Sequence, residues 1–130
     1  LATIKACDLL TTQDANSLGL RPQGQPEDIV GLRRCDWTTP EGGGISTGIN
    51  ERRGIDKVNL ASATSVTDVR IGRHQAKRAL DSSEPGYCEV ILAVGSTANV
   101  SVLTLLHTND TARACAVADR AAVFVESKLP

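Results

Sequence analysis

Four cysteines, Cys7, Cys35, Cys88 and Cys115, constrain this chain more than any other feature of its sequence. They form an even, widely spaced set with no Cys-x-x-Cys pair among them. Structural metal sites take ligands in close pairs, because one tight turn presents two of them to the same ion. The two histidines, His74 and His107, do not complete such a spacing, and no metal or other cofactor is expected. The pattern reads instead as two disulfides in an exported domain, since bridges persist in oxidising compartments. Four cysteines allow three connectivities. The order of local elements favours Cys7–Cys35 with Cys88–Cys115, each closing a loop of similar length. On the chain-entropy picture each bridge stabilises the fold by about 3–4 kcal/mol. That is a large share for a chain whose aromatic residues are Trp37, Tyr87 and Phe124 alone.

The remaining bounds are short. A length of 130 residues supports a single domain spanning 1–130. A formal net charge of -1 excludes a protein that seeks nucleic acid or other polyanions through its overall charge. Stacking platforms for single strands also need aromatic rings that this chain lacks. The longest apolar runs, Val90 to Val94 and Val102 to Leu106, are too short to cross a bilayer. The chain has no methionine, and Leu1-Ala2-Thr3-Ile4-Lys5 has no signal-peptide character. The start is therefore expected to be a mature end left by processing, or a trimmed boundary. A monomer is expected.

Local patterns predict an α+β domain. Thr11 with Asp14 forms a capping-box start to a short helix, and Gly19 suits its left-handed stop. Arg21 to Asp28, with Pro22, Gly24 and Pro26, reads as an exposed loop. Cys35 to Thr39 alternates as a half-buried strand with Cys35 and Trp37 inward. Pro40 to Gly44 turns it into an antiparallel return, Ile45 to Ile49. Ile55 to Leu60 is ambiguous between coil and a short helix. Val66 to Ile71 and Gln75 to Leu80 predict a second hairpin around Gly72-Arg73-His74. Tyr87 to Val94 and Asn99 to Leu106 are the strongest strands. Asn109 or Asp110 caps a long final helix with an inward stripe of Ala112, Cys115, Ala118, Ala122, Val125 and Leu129. The expected architecture is an antiparallel sheet packed by a short N-terminal helix and a long C-terminal helix.

Several landmarks in order resemble one known family. They are Cys7-x-Leu9-Leu10-Thr11, Cys35-x-Trp37, Ile71-Gly72-Arg73-His74-Gln75-Ala76, Cys88-x-Val90, and Cys115-x-x-Ala118 before Leu129-Pro130. Together they resemble the actinobacterial secreted lipoproteins grouped as domain-of-unknown-function family 3558. The resemblance implies export, loss of the signal peptide, and a tether to the outer face of the membrane through a lipidated cysteine upstream of Leu1. It implies the same cysteine pairing and, by analogy, a sheet-and-helix sandwich similar to the Mog1/PsbP-like group. It supplies no catalytic residues. Arg73 departs from a second glycine expected after Gly72, which leaves that hairpin's geometry open.

Candidate sites are few. Gly44-Ile45-Ser46-Thr47-Gly48 matches the Gly-x-Ser-x-Gly of a hydrolase nucleophile elbow, which requires a strand entering and a helix leaving. A triple-glycine turn precedes it and a strand follows, so small residues in a strand are the plainer reading. The same glycines fail as a phosphate loop, because Ile49-Asn50 stands where Lys and Ser/Thr belong. His107 and Asp110 could pair as acid and base, but Asp110 reads better as a helix cap. Arg70, Arg73, His74, Lys77 and Arg78 form one basic cluster, expected to share a solvent face and to suit an anionic partner. The expected function is a non-catalytic cell-envelope ectodomain binding a protein or a small anionic ligand outside the membrane. The alternatives are a secreted inhibitor or immunity-type protein displaying Arg21 to Asp28, and a small serine hydrolase using Ser46.

Overall fold

Period-two alternation runs through the middle of the chain, and it builds one sheet. A computed structural model describes residues 1–29 and 32–130. Seven strands, β1 (Gln25–Ile29), β2 (Leu32–Thr38), β3 (Gly43–Asn50), β4 (Ser65–Ile71), β5 (His74–Leu80), β6 (Tyr87–Val94) and β7 (Ala98–Leu106), pair antiparallel in the order β1-β2-β3-β7-β6-β5-β4. Two helices, α1 (Thr12–Ser17) and α2 (Thr111–Glu126), and 3-10 turns at Ala6–Asp8 and Ile55–Lys57 accompany them.

The register sorts the side chains onto two faces. Cys35, Trp37, Ile45, Thr47, Ile49, Cys88, Val90, Leu92, Val100, Val102 and Leu106 are buried on the face that carries the N-terminal segment, α1 and α2. Arg34, Asp36, Ser46, Glu89, Ser101 and Leu103 occupy the opposite, helix-free face at neighbouring rungs. Residues 51–64 carry the chain from β3 to the far edge. There Ile55 and Asp56 lie beside Asp68, Arg70, Gln75 and Lys77, the outer side chains of β4 and β5. This crossover accounts for Ile91, which is only 1% exposed although it points away from the helices.

Both disulfides pin the helical layer to the sheet. Cys7–Cys35 holds the N-terminal turn on β2, and Cys88–Cys115 holds α2 on β6. These are the expected pairs. α2 lies close because its buried face is nearly all alanine: Ala114, Ala118, Ala121 and Ala122, with Val125. Asp110 caps it by accepting the Arg113 N–H, 3.0 Å. α1 starts with the expected capping box, Thr11 and Asp14 each bonding the other's backbone at 3.0 Å, and stops at Gly19 with φ +76°.

Two local expectations need correcting. Arg21 to Asp28 is exposed, but its second half is not loop: Gln25 onward is the edge strand β1, with Pro26 opposite Cys35. An edge tolerates proline because one of its sides has no ladder to supply. Ala112 is exposed, since it lies roughly 120° around the helix from Ala118, while Ala114 and Ala121 take the inward places. None of the described helices is long and apolar enough to cross a membrane.

Two buried threonines separate good from bad polar burial. Thr47 donates to the Ala6 carbonyl at 3.0 Å, whereas the Thr104 hydroxyl has no partner among the described residues. Thr47→Val is expected to lower stability by about 1–2 kcal/mol, and Thr104→Val to raise it or leave it unchanged, in denaturant melts. A second expectation concerns acid. Burial opposes the Asp14 carboxylate, but the Lys128 ammonium at 2.8 Å and the Thr11 contacts outweigh it and hold its pKa below the usual range. The unfolded chain therefore takes up this proton at higher pH than the folded one. The contribution is complete above about pH 4 and disappears as pH falls through the folded value. Asp14→Asn is expected to flatten the acid limb of a stability–pH curve.

Candidate functional site

The basic hairpin forms as expected but does not present a single cationic face. Two-residue turns reverse the chain at Gly72-Arg73, and Gly72 alone takes a positive φ, +57°. A glycine at the first turn position is what a type II′ hairpin needs, so Arg73 is compatible with the turn. Alternation then divides the cluster. Arg70 and Lys77 lie on the helix-free face, where Lys77 meets Asp68 at 3.4 Å. His74 and Arg78 point to the helices: Arg78 forks onto Asp119 at 2.7–3.2 Å. His74 sits between the Glu126 carboxylate and the Pro130 carbonyl, at 3.3 and 2.8 Å. The Arg73 N–H, foremost, and His74 hold the Glu126 pKa below the usual range. The expectation of a shared solvent face is overturned because α2 supplies acids to half of the cluster.

Ser46 lies in the middle of an unbroken strand, β3, so no elbow forms around it. Its hydroxyl donates to Asp36 at 2.6 Å and accepts from Arg34 at 3.3 Å. Neither histidine is near: His74 faces α2, and His107 follows β7 at the end of the sheet. Beside this group Tyr87 donates to Glu89 at 3.0 Å. Burial pushes the Glu89 pKa up, while the Tyr87 bond and the Arg34 charge pull against it. Burial and the Glu89 charge push the Tyr87 pKa up as well. Arg34, Ser46 and Glu89, with Leu32, Ser101 and Leu103, line a shallow dip over Gly48. The dip was not legible in the sequence, because its parts come from β2, β3, β6 and β7.

A more enclosed recess of about 150 Å³ opens at the end of the sheet, where α1 stops and α2 begins. Its apolar floor is Leu18, Leu20, Ile45, Leu106 and Val117, and its rim carries Thr39, Glu41, His107, Thr108 and Arg113. Backbone geometry is specialised around it. Gly42 has φ +96°, and a Cβ there would lie 2.7 Å from Nδ1 of His107, so only glycine lets that ring rest on the β2–β3 turn. Asn109 adopts φ +58°, the only positive value outside glycine among the described residues. This bend lets the chain turn from His107 into the Asp110 cap and places Arg113 one turn into α2. A volume of this size accommodates a benzene-sized group, and two basic side chains beside an apolar floor suit a short tail with an anionic head. In the sequence His107 draws notice only beside Asp110, which the structure commits to capping α2, and no local signal marks Arg113.

Among the described residues no group of three or more His, Cys, Asp or Glu is placed to hold a metal ion. Glu89→Gln is expected to stabilise the protein at pH 7 by about 1 kcal/mol, since it removes a carboxylate that burial disfavours while keeping an acceptor for Tyr87. Because the folded pKa of Glu89 is raised, the difference from wild type should shrink as pH falls and the acid becomes neutral. Thermal melts at two pH values check it.

The pattern that defines a family described as protein of unknown function (DUF3558) matches residues 1–128 of the chain. No curated protein and no solved structure matches it.

Proposed function

The chain belongs to this family of proteins of unknown function, DUF3558, and from that premise we propose that it is a non-catalytic extracytoplasmic module that binds a small organic anion in the recess between α1, α2 and the β2–β3 turn. The observation that carries the reading is the combination found there: an enclosed apolar floor with Arg113 and His107 on the rim. The floor would take a short apolar tail by area burial, about 0.8 kcal/mol per buried methylene. Arg113 would meet the anionic head with charge-assisted hydrogen bonds. Glu41, also on the rim, would disfavour a second negative charge and so select monoanions.

Two disulfides support placement in an oxidising compartment. The sequence resemblance supports the finer reading, a secreted lipoprotein held at the outer face of the membrane by a lipidated cysteine upstream of Leu1. An anchored domain with a small recess needs no catalytic group, and Ser46 is committed to Asp36 and Arg34.

Butyrate, hexanoate and octanoate are suitable probes, titrated while amide shifts are followed by NMR. Saturable shifts are expected around Leu18 to Leu20, Gly42 and Arg113, tighter for hexanoate than for butyrate. Arg113→Ala should weaken binding roughly tenfold or more, the scale of a lost charge-assisted bond. Saturable shifts on the helix-free face instead, or none anywhere, would sink the reading.

A further inference from the structure

The sheet has two edges, and they differ in what they offer another strand. Antiparallel ladders alternate, so each residue turns its N–H and C=O either to one neighbouring strand or to the other. In β4 the two-residue turn makes Ile71 and His74 the bonded closing pair. Ile71, Val69 and Thr67 therefore face β5, and Val66, Asp68 and Arg70 turn their backbone groups outward. Carrying the same alternation across the sheet makes Pro26 and Asp28 the outward residues of β1. Pro26 has no N–H to give, and β1 spans five residues with two acids, so that edge is guarded. β4 spans seven residues without proline, and no described strand covers it.

We propose that the free edge of β4 pairs antiparallel with β4 of a second copy of this chain, joining two seven-stranded sheets into one. Charge selects the register. Outward residues must oppose outward residues, which leaves dyads centred on Thr67, Asp68 or Val69. A dyad at Asp68 would set two carboxylates face to face, and one at Thr67 would set Val66 against an acid. Centring on Val69 places Asp68 opposite Arg70 of the partner subunit, twice by symmetry, with valine against valine between them. Asp68 is available for this, since its side chain is 86% exposed and its Lys77 contact is long, 3.4 Å. A second observation agrees. Of the three large apolar side chains exposed among the described residues, Val66 lies on β4, at 42%. The sequence favours a monomer, and the experiment below decides between that expectation and this pairing.

One strand pair is smaller than a standard stable interface, so the dimer should be concentration-dependent. Sedimentation equilibrium up to about 1 mM is the test. A reversible dimer is expected, weakened roughly tenfold or more by Asp68→Arg or by Arg70→Asp, with recovery in the double charge swap. Asp68→Pro, which removes an outward N–H as Pro26 does on β1, should abolish it while circular dichroism stays unchanged. A monomer throughout this range, a dimer indifferent to the single reversals, or a double swap that fails to recover would each overturn the proposal.

Discussion

One-sided covering of the sheet is the constraint from which the rest of the molecule follows, and two covalent bonds enforce it. Cys7–Cys35 and Cys88–Cys115 fasten the N-terminal turn and α2 to the same face. A helix faced with alanine buries little area per residue, so its attachment by packing alone would be weak. The bridges remove much of the freedom that the layer would regain on unfolding. Small side chains then become an advantage: they let α2 approach β6 closely enough for the sulfurs to meet. Because both bridges are on one side, the other face of β2, β3, β7 and β6 is left to polar groups and a crossover loop.

That asymmetry distributes the chemistry. On the helix face Thr47 is satisfied by Ala6, and Arg78 and His74 by the acids of α2, while the Thr104 hydroxyl finds no partner among the described residues. Polar groups on the helix-free face form a looser array, with Glu89 half-buried and paired mainly to Tyr87. The recess lies where the helical layer ends. α1 and α2 stop covering the sheet there, and the β2–β3 turn and His107 close the gap only partly. A pocket at the margin of a one-sided layer is a direct geometric result, since helices cover a broad twisted sheet incompletely.

Strand positions were legible because alternation and turn chemistry are local. Cys35 and Trp37 inward, Ile45 and Ile49 on one face, the glycine at Gly72 and the capping box at Thr11 all follow from near neighbours. The failures share a cause of the opposite kind. Pro26 argued for a loop, yet an edge strand asks for hydrogen bonds on one side only. The basic cluster was read as solvent-facing, yet Asp119 and Glu126 come from a helix more than forty residues away in sequence. The recess, assembled from positions near 19, 42, 107 and 113, has no local pattern at all.

Sequence by itself therefore determined the class of fold, the covalent framework and the compartment chemistry that framework needs. Those depend on residue types and on spacings of two, three and four. Only the tertiary structure decided which strand lies at an unguarded edge, which cations keep their charge free, and where a cavity remains. These depend on strand order and on the side of the sheet to which helices are fastened, and both are set by contacts between residues far apart in the chain.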